Sequence, residues 1–205
     1  MNKHDFIDAE YTYAFHSPGE EPWICGLLKH RHITKALDLG CGSGFWGFIL
    51  RTYAASTAKI IGVDISTESL QRLKNLGIYD ELVLGDATSL NFDDAFDVIL
   101  AIEFFHTLTD KESFLRAVEE KLAKNGLLII SGPSTVEMLK ILQERNYSVY
   151  EYFLRGLVLV DTKTGEILST YPSKAMLILA SLLRLGRIFV KGTKNSHIIA
   201  FKEVT

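Results

Sequence analysis

One stretch constrains the fold more than any other: Ala36-Leu37-Asp38-Leu39-Gly40-Cys41-Gly42-Ser43-Gly44-Phe45-Trp46-Gly47. An apolar run ends in glycines at alternate positions, and an amphipathic segment follows from Trp46 to Ala55. This pattern predicts a strand, a tight turn and the first turn of a helix. Glycines there accept positive φ and carry no Cβ, so a ligand can lie directly on the backbone. The helix start adds N–H groups and the positive end of a dipole. Such a corner suits a polar, nucleotide-like molecule. A dinucleotide fingerprint needs a third glycine where this chain has Phe45, so the Gly40-x-Gly42-x-Gly44 spacing with Asp38 before it is of a different kind.

Further along, strands and helices alternate. Ile33 to Leu39 is the first strand, preceded by a helix from near Glu20 to His30 with Pro22 in its first turn. Lys59 to Ile65 is a second strand, read as apolar and buried on both faces, that stops at an acid, Asp64, 20 residues beyond Gly44. A carboxylate at that strand tip can accept both hydroxyls of a ribose. Ser66 is expected to cap the next helix and Gly77 to end it. Glu81 to Ala87 and Phe96 to Ile102 are strands three and four; the first ends at Asp86 and the second runs into Glu103, Phe104, Phe105 and His106. Thr109-x-x-Glu112 and Ser134-x-x-Glu137 are expected capping boxes on either side of a fifth strand, Leu127 to Ser131. The helix between them is expected to stop at Asn125-Gly126.

Strands alternating with helices imply a parallel sheet with helices on both faces and ligand at the C-terminal strand ends. Gly40–Gly44, Asp64, Asp86 and Glu103 all fall there. Phe153 to Thr170 reads as a hairpin around Asp161–Gly165, Ser173 to Leu185 as a helix apolar almost all round, and Ser196 to Val204 as a terminal strand.

At 205 residues, with 47% hydrophobic and 23% charged residues, the chain is globular and long enough for one buried core. A net charge of −3 gives no strong nucleic-acid signal. Met1 to Glu10 has no apolar stretch of the secretory kind, and Cys25 and Cys41 are too few for a disulfide framework and lack metal-ligand spacing. His30 and His32 read as surface residues, so no metal site is expected. The expected compartment is the cytoplasm.

The motifs, taken together and in order, resemble the class I S-adenosylmethionine-dependent methyltransferases over Ile33 to Ser131. Leu37 to Gly44 is similar to that family's glycine motif, Gly62-Val63-Asp64-Ile65 to its ribose-binding acid, and Gly85-Asp86-Ala87 to its adenine-binding segment. Phe96 to Glu103 resembles the fourth-strand motif, and Leu122 to Ile130 the lead into strand five. The resemblance implies a Rossmann-like α/β fold with a seven-stranded, mostly parallel sheet and an antiparallel last strand, with the extra hairpin and helix inserted before it. It implies a single domain: an N-terminal arm and helix (1–32), a cofactor-binding core (33–146), the hairpin and apolar helix (147–195) and the terminal strand (196–205). The cofactor implied is S-adenosylmethionine, leaving S-adenosylhomocysteine as product.

Carried over residue by residue, Gly40, Cys41, Gly42 and Gly44 cradle the methionine part, with Asp38 beneath them. Asp64 takes the ribose hydroxyls, Ile65 packs on the adenine, and Asp86 and Ala87 meet its edge. Glu103 contacts the ligand or the acceptor. His106, just past strand four, is the candidate general base. Tyr11, Tyr13, His16, Phe104 and Phe105 are candidate acceptor contacts. The quinone O-methyltransferase pattern Glu-x-x-Glu-His is matched only at Glu103, since His106 and Thr107 fill its last two places. The acceptor expected is a small molecule, with an apolar or lipid-linked one suggested by the basic, apolar stretch 174–194. That stretch is either core packing or a lid with a peripheral membrane contact. Methylation of a macromolecule, and a non-catalytic nucleotide-binding module, are the alternatives.

Overall fold

In the computed structural model, residues 20–89, 92, 95–161, 167–169 and 188–204 are described, with side chains described outside 151–197. The chain divides into two compact units, 1–151 with 198–205, and 152–197.

In the first unit the elements alternate as the apolar pattern predicts. They are α1 (Glu20–Leu28), β1 (Lys35–Leu39), α2 (Phe45–Ile49), β2 (Lys59–Asp64), α3 (Thr67–Leu73), β3 (Glu81–Leu84), β4 (Phe96–Ile102), α4 (Lys111–Glu119), β5 (Leu122–Pro133) and α5 (Val136–Glu144). Three more strands follow: β6 (Ser148–Asp161), β7 (Ile167–Ser169) and β8 (Ile188–Glu203). The strand order is β3-β2-β1-β4-β5-β8-β6-β7. β1 to β5 pair in parallel, in register Leu37 with Ile61 and Ile99, and Leu100 with Ile129. Asn125 donates to the Val204 carbonyl and Val204 to that of Gly126, so the end of β8 meets the start of β5 and runs antiparallel to it. The sheet is thus the expected seven strands plus the short β7.

Period-two alternation divides the sheet residues between two buried faces. Leu37, Leu39, Ile61, Val63, Ile99, Leu128 and Ile130 share a core with Phe114, Leu115 and Val118 of α4 and Met138 and Leu142 of α5. Each fully buried Phe or Leu there stabilises the fold by roughly 1.5–3 kcal/mol. On the other face Ala36, Ile60, Val98, Leu100, Leu127 and Ile129 are equally buried, as are Ile24 and Leu28 of α1 and Trp46 of α2. Helices therefore cover both faces.

Several local expectations shift by a residue or a few. α1 stops at Leu28 rather than His30. Ser66 caps α3 as expected, accepting from Ser69 N–H at 3.2 Å. α4 is capped by Asp110, not Thr109: its carboxylate accepts the Ser113 N–H at 2.9 Å. α5 is capped by Thr135, not Ser134, through the Met138 N–H at 3.1 Å. α4 ends at Glu119, and Asn125, at φ 61°, belongs to an irregular start of β5 instead of a helix stop. After α2 the helix widens into a π-turn, Leu50–Ala54, closed by the Ala55 N–H on the Leu50 carbonyl.

In the second unit the expected hairpin is present, with Leu159 opposite Ser169 and Val160 opposite Ile167 in antiparallel register. The helix expected over 173–185 lies outside the described residues. Among those residues no helix is long and apolar enough to cross a membrane.

Candidate active site

Four parallel strands, β1 to β4, deliver their C-terminal ends to one edge, and a cavity of about 340 Å³ opens there. Its walls include Gly40, Asp64, Ile65, Asp86, Ala87 and Phe104, with Val63, Gly85, Thr107 and Leu108. The size is in the range that takes a small organic ligand.

The glycine loop is built as a bare surface. Gly40, Gly42 and Gly44 all have positive φ, at 71°, 49° and 84°. A Cβ on Gly40 would stand 3.1 Å from Cβ of Phe104, so the backbone there touches the far wall of the cavity. The loop's N–H groups are mostly used internally. Gly40 and Cys41 both donate to the Val63 carbonyl, Gly42 to Asp64, and Gly44 to the Cys41 carbonyl. The loop thus offers a ligand bare backbone more than a row of donors. Cys41 turns its side chain into a small apolar cluster with Leu70 and Leu73, where burial raises its thiol pKa far above the ordinary value, and Asp38 and Asp64 add to the rise.

Asp64 sits at the tip of β2, and both its oxygens are oriented by backbone. Oδ2 accepts the Gly42 N–H and Oδ1 the Ser66 N–H, each at 2.8 Å. A carboxylate has about four acceptor positions, so each oxygen keeps capacity for a ligand hydroxyl. Ile65, next to it, is 76% exposed although apolar and forms a flat wall of the cavity. Asp86 accepts the backbone N–H and the hydroxyl of Thr88 on Oδ1, at 2.8 and 2.7 Å, and these bonds hold its pKa below the usual carboxylate range.

Asp38 is not in the cavity wall. It is 2% exposed and points beneath the loop, where the Tyr79 hydroxyl donates to it at 2.6 Å. Burial pushes its pKa up to about 6, against the pull of the Tyr79 hydroxyl and with a further push from Asp64.

Beyond β4 the chain turns sharply. Glu103 takes φ 57°, unusual for a residue with a side chain, while its N–H donates to the Ser131 carbonyl at 2.9 Å. That turn sets Phe104 into the cavity wall, packed edge-on against Phe114 at 5.4 Å. Phe105, expected to face an acceptor, is fully buried against the same Phe114 and offers an acceptor no surface. The adjacent turn places alternate side chains on opposite sides, which is the physical reason for that correction.

His106 lies beside Gly132, whose added Cβ would approach Nδ1 to 3.0 Å. Nδ1 is buried and has no hydrogen-bond partner among the described residues. His106, expected as the general base, stands in the turn after β4 and outside the residues that wall the cavity. Tyr11, Tyr13 and His16 lie outside the described residues.

Thr107, Leu108 and Tyr79 were not singled out by sequence; the two first belong to a loop without a motif, and Tyr79 acts from beneath. A larger cavity, about 480 Å³, opens at the opposite strand ends between Arg116, Glu119, Arg145 and Lys202. Its charges bind one another: Glu119 accepts Arg145 and Tyr147, both at 2.7 Å, and lies 3.3 Å from Lys202. Burial raises the Glu119 pKa, but those partners outweigh it and the group stays below its ordinary range. That network braces α4 against the turn after α5 and β8.

Comparison with known proteins shows the family of the chain. Residues 30–186 match a family described as a methyltransferase domain. The demethylmenaquinone methyltransferase of Staphylococcus saprophyticus is 30% identical over 143 residues, 65% of this chain and 60% of that one. The (S)-coclaurine N-methyltransferase of Thalictrum flavum is 33% identical over 108 residues, 50% of this chain and 29% of that one. The chain thus spans between about a third and three-fifths of the length of these curated relatives. Among solved structures, the YcgJ protein of Bacillus subtilis superposes with a TM-score of 0.62 at 16% identity, covering 89% of this chain and 97% of that one. The plantazolicin methyltransferase BamL, solved with S-adenosylhomocysteine, gives 0.62 at 12% identity, covering 99% and 91%. With the strand order and glycine loop described above, this chain belongs to the methyltransferase domain family and has its class I, Rossmann-like fold.

Proposed function

We propose that the chain binds S-adenosylmethionine at the edge formed by β1 to β4 and transfers its methyl group to a small, apolar acceptor. One observation carries the reading: the cavity joins the bare Gly40 backbone, the oriented Asp64 carboxylate, the exposed Ile65 and the Asp86 tip in one space. The residues present fit such a ligand. Gly40 leaves room that a Cβ would fill, Asp64 has acceptor capacity for two adjacent hydroxyls, Ile65 offers an apolar face to a purine, and Asp86 Oδ2 can accept from its amino group. The Ala87 backbone meets the same ring edge.

S-adenosylmethionine supplies, when bound, an already activated methyl on a sulfonium. What is left to this chain is alignment and exclusion of water. Phe104 and Leu108 wall the site with apolar surface. Glu103 stands at the turn where the acceptor enters. Where the acceptor must lose a proton, His106, just past β4, is the candidate base. An apolar or lipid-linked acceptor is supported by relatives named for demethylmenaquinone and 2-phytyl-1,4-beta-naphthoquinone methylation.

The test is transfer of label from S-adenosylmethionine, labelled in its methyl group, into an organic-solvent fraction of a cell extract. Transfer by the wild-type chain and none by Asp64→Ala supports the reading. Label appearing only in protein or RNA would replace it with a macromolecular acceptor.

A further inference from the structure

Tyr79 belongs to the loop between α3 and β3, outside every motif, yet it reaches under the glycine loop. A Cβ on Gly47 would fall 2.2 Å from its ring, one on Gly62 2.8 Å, and one on Gly44 3.4 Å. Two glycines, Gly47 of α2 and Gly62 of β2, therefore leave the space that this ring fills, while at Gly44 Leu73 stands closest and the ring is in ordinary contact. Within that space its hydroxyl donates to Asp38 Oδ2 at 2.6 Å, and Leu70, Leu73 and Cys41 pack beside it. The neighbours of Tyr79 are fixed independently. Arg51, on the π-turn, donates to the carbonyls of Ile78, Ser56 and Ala58 and pairs with Asp80. Asp80 in turn accepts the Ile60 N–H at 2.7 Å and returns its own N–H to the Ile60 carbonyl at 2.9 Å. The ring is thus delivered from a clamped loop.

We propose that Tyr79 is a positioning residue for the cofactor cradle: through Asp38 it holds the corner Gly40–Gly47 in its binding shape and makes cofactor affinity depend on pH. The inference rests on the S-adenosylmethionine reading above. Ionised, Asp38 accepts the Tyr79 hydroxyl and ties β1 to the loop whose ring fills the space at Gly47 and Gly62. Protonated, it offers a neutral oxygen in place of a charged one, and that bond weakens. A loosened loop must then be ordered by the ligand, which lowers affinity. Burial sets the Asp38 pKa near 6, within the range where this switch can be read. The ionisable groups facing Asp38 are Tyr79, Cys41 and Asp64, and burial raises the first two.

The experiment is calorimetric titration of S-adenosylhomocysteine into the full chain from pH 5 to 8.5, for wild type, Tyr79→Phe and Asp38→Asn, with thermal unfolding as the folding control. Wild-type affinity is expected to fall about tenfold from pH 7.5 to 5, the scale of one hydrogen bond to a charged group. Tyr79→Phe is expected to bind about tenfold more weakly at pH 7.5. It should also move the midpoint of that loss upward by about one pH unit, because a donor that lowers the Asp38 pKa is gone. Asp38→Asn should bind weakly at every pH. A Tyr79→Phe chain with wild-type affinity and midpoint overturns the proposal. Should that variant fail to fold, parallel profiles for wild type and Asp38→Asn overturn it instead. No binding by wild type at any pH overturns the cofactor reading, whereas binding by wild type with an unmoved Tyr79→Phe overturns this inference alone.

Discussion

The Asp64 carboxylate accepts the Gly42 N–H at 2.8 Å, so the acidic tip of β2 and the glycine loop after β1 form one rigid unit. Its other oxygen holds the Ser66 N–H, at the start of α3. One side chain therefore joins three elements at the edge where the cavity opens.

Asp64→Ala removes both bonds and the ligand's acceptor together. Affinity for S-adenosylhomocysteine is expected to fall at least about 100-fold by calorimetry, from two or more lost hydrogen bonds. The core, built by Leu37, Ile61 and their neighbours away from this tip, is expected to keep its far-ultraviolet dichroism.

Gly40→Ala places a Cβ at φ 71°, a strained conformation for alanine, 3.1 Å from Phe104. It is expected to cost about 1–2 kcal/mol of stability in denaturant titration and to weaken ligand binding. Gly26, with nothing near its added Cβ and ordinary φ, is the control: Gly26→Ala within α1 should be neutral or stabilising.

These two predictions show how unevenly the site could be read. The glycine loop, Asp64, Ile65, Asp86 and Ala87 were legible because each sits where an apolar strand stops, and strand ends are visible as period and composition. Phe104 lines the cavity and Phe105 is buried, a division the sequence did not announce because the turn after Glu103 depends on a positive φ. Asp110 and Thr135 displaced the expected caps by one position, since two adjacent polar residues compete and the backbone decides. Tyr79 was invisible: its ring lies where two glycines distant in sequence, Gly47 and Gly62, lack side chains.

Asp38 links the site to stability. Its folded pKa, raised from 3.8 to about 6, means that the folded chain holds a proton there that the unfolded chain has released. The stability this group contributes is present below pH 4 and lost as pH rises to about 6. The unfolding free energy of Asp38→Asn, relative to wild type, is therefore expected to rise by up to ~3 kcal/mol from pH 4 to 7. A pH-independent difference in urea titrations would contradict the assignment.

At His106, a donor and a base separate by substitution. As general base it is expected to be irreplaceable by an amide, so that His106→Gln and His106→Ala both lower kcat by about 100-fold or more. A His106→Gln chain that keeps kcat within about tenfold would contradict that role.

The most direct measurement is calorimetric titration of the full wild-type chain at pH 7.5 with S-adenosylhomocysteine and, separately, with NAD. The expected result is one-to-one binding of S-adenosylhomocysteine, no heat from NAD, and loss of binding in Asp64→Ala. Binding of NAD in its place, or S-adenosylhomocysteine binding that Asp64→Ala leaves unchanged, would contradict a cradle made by the glycine loop and the two acidic strand tips.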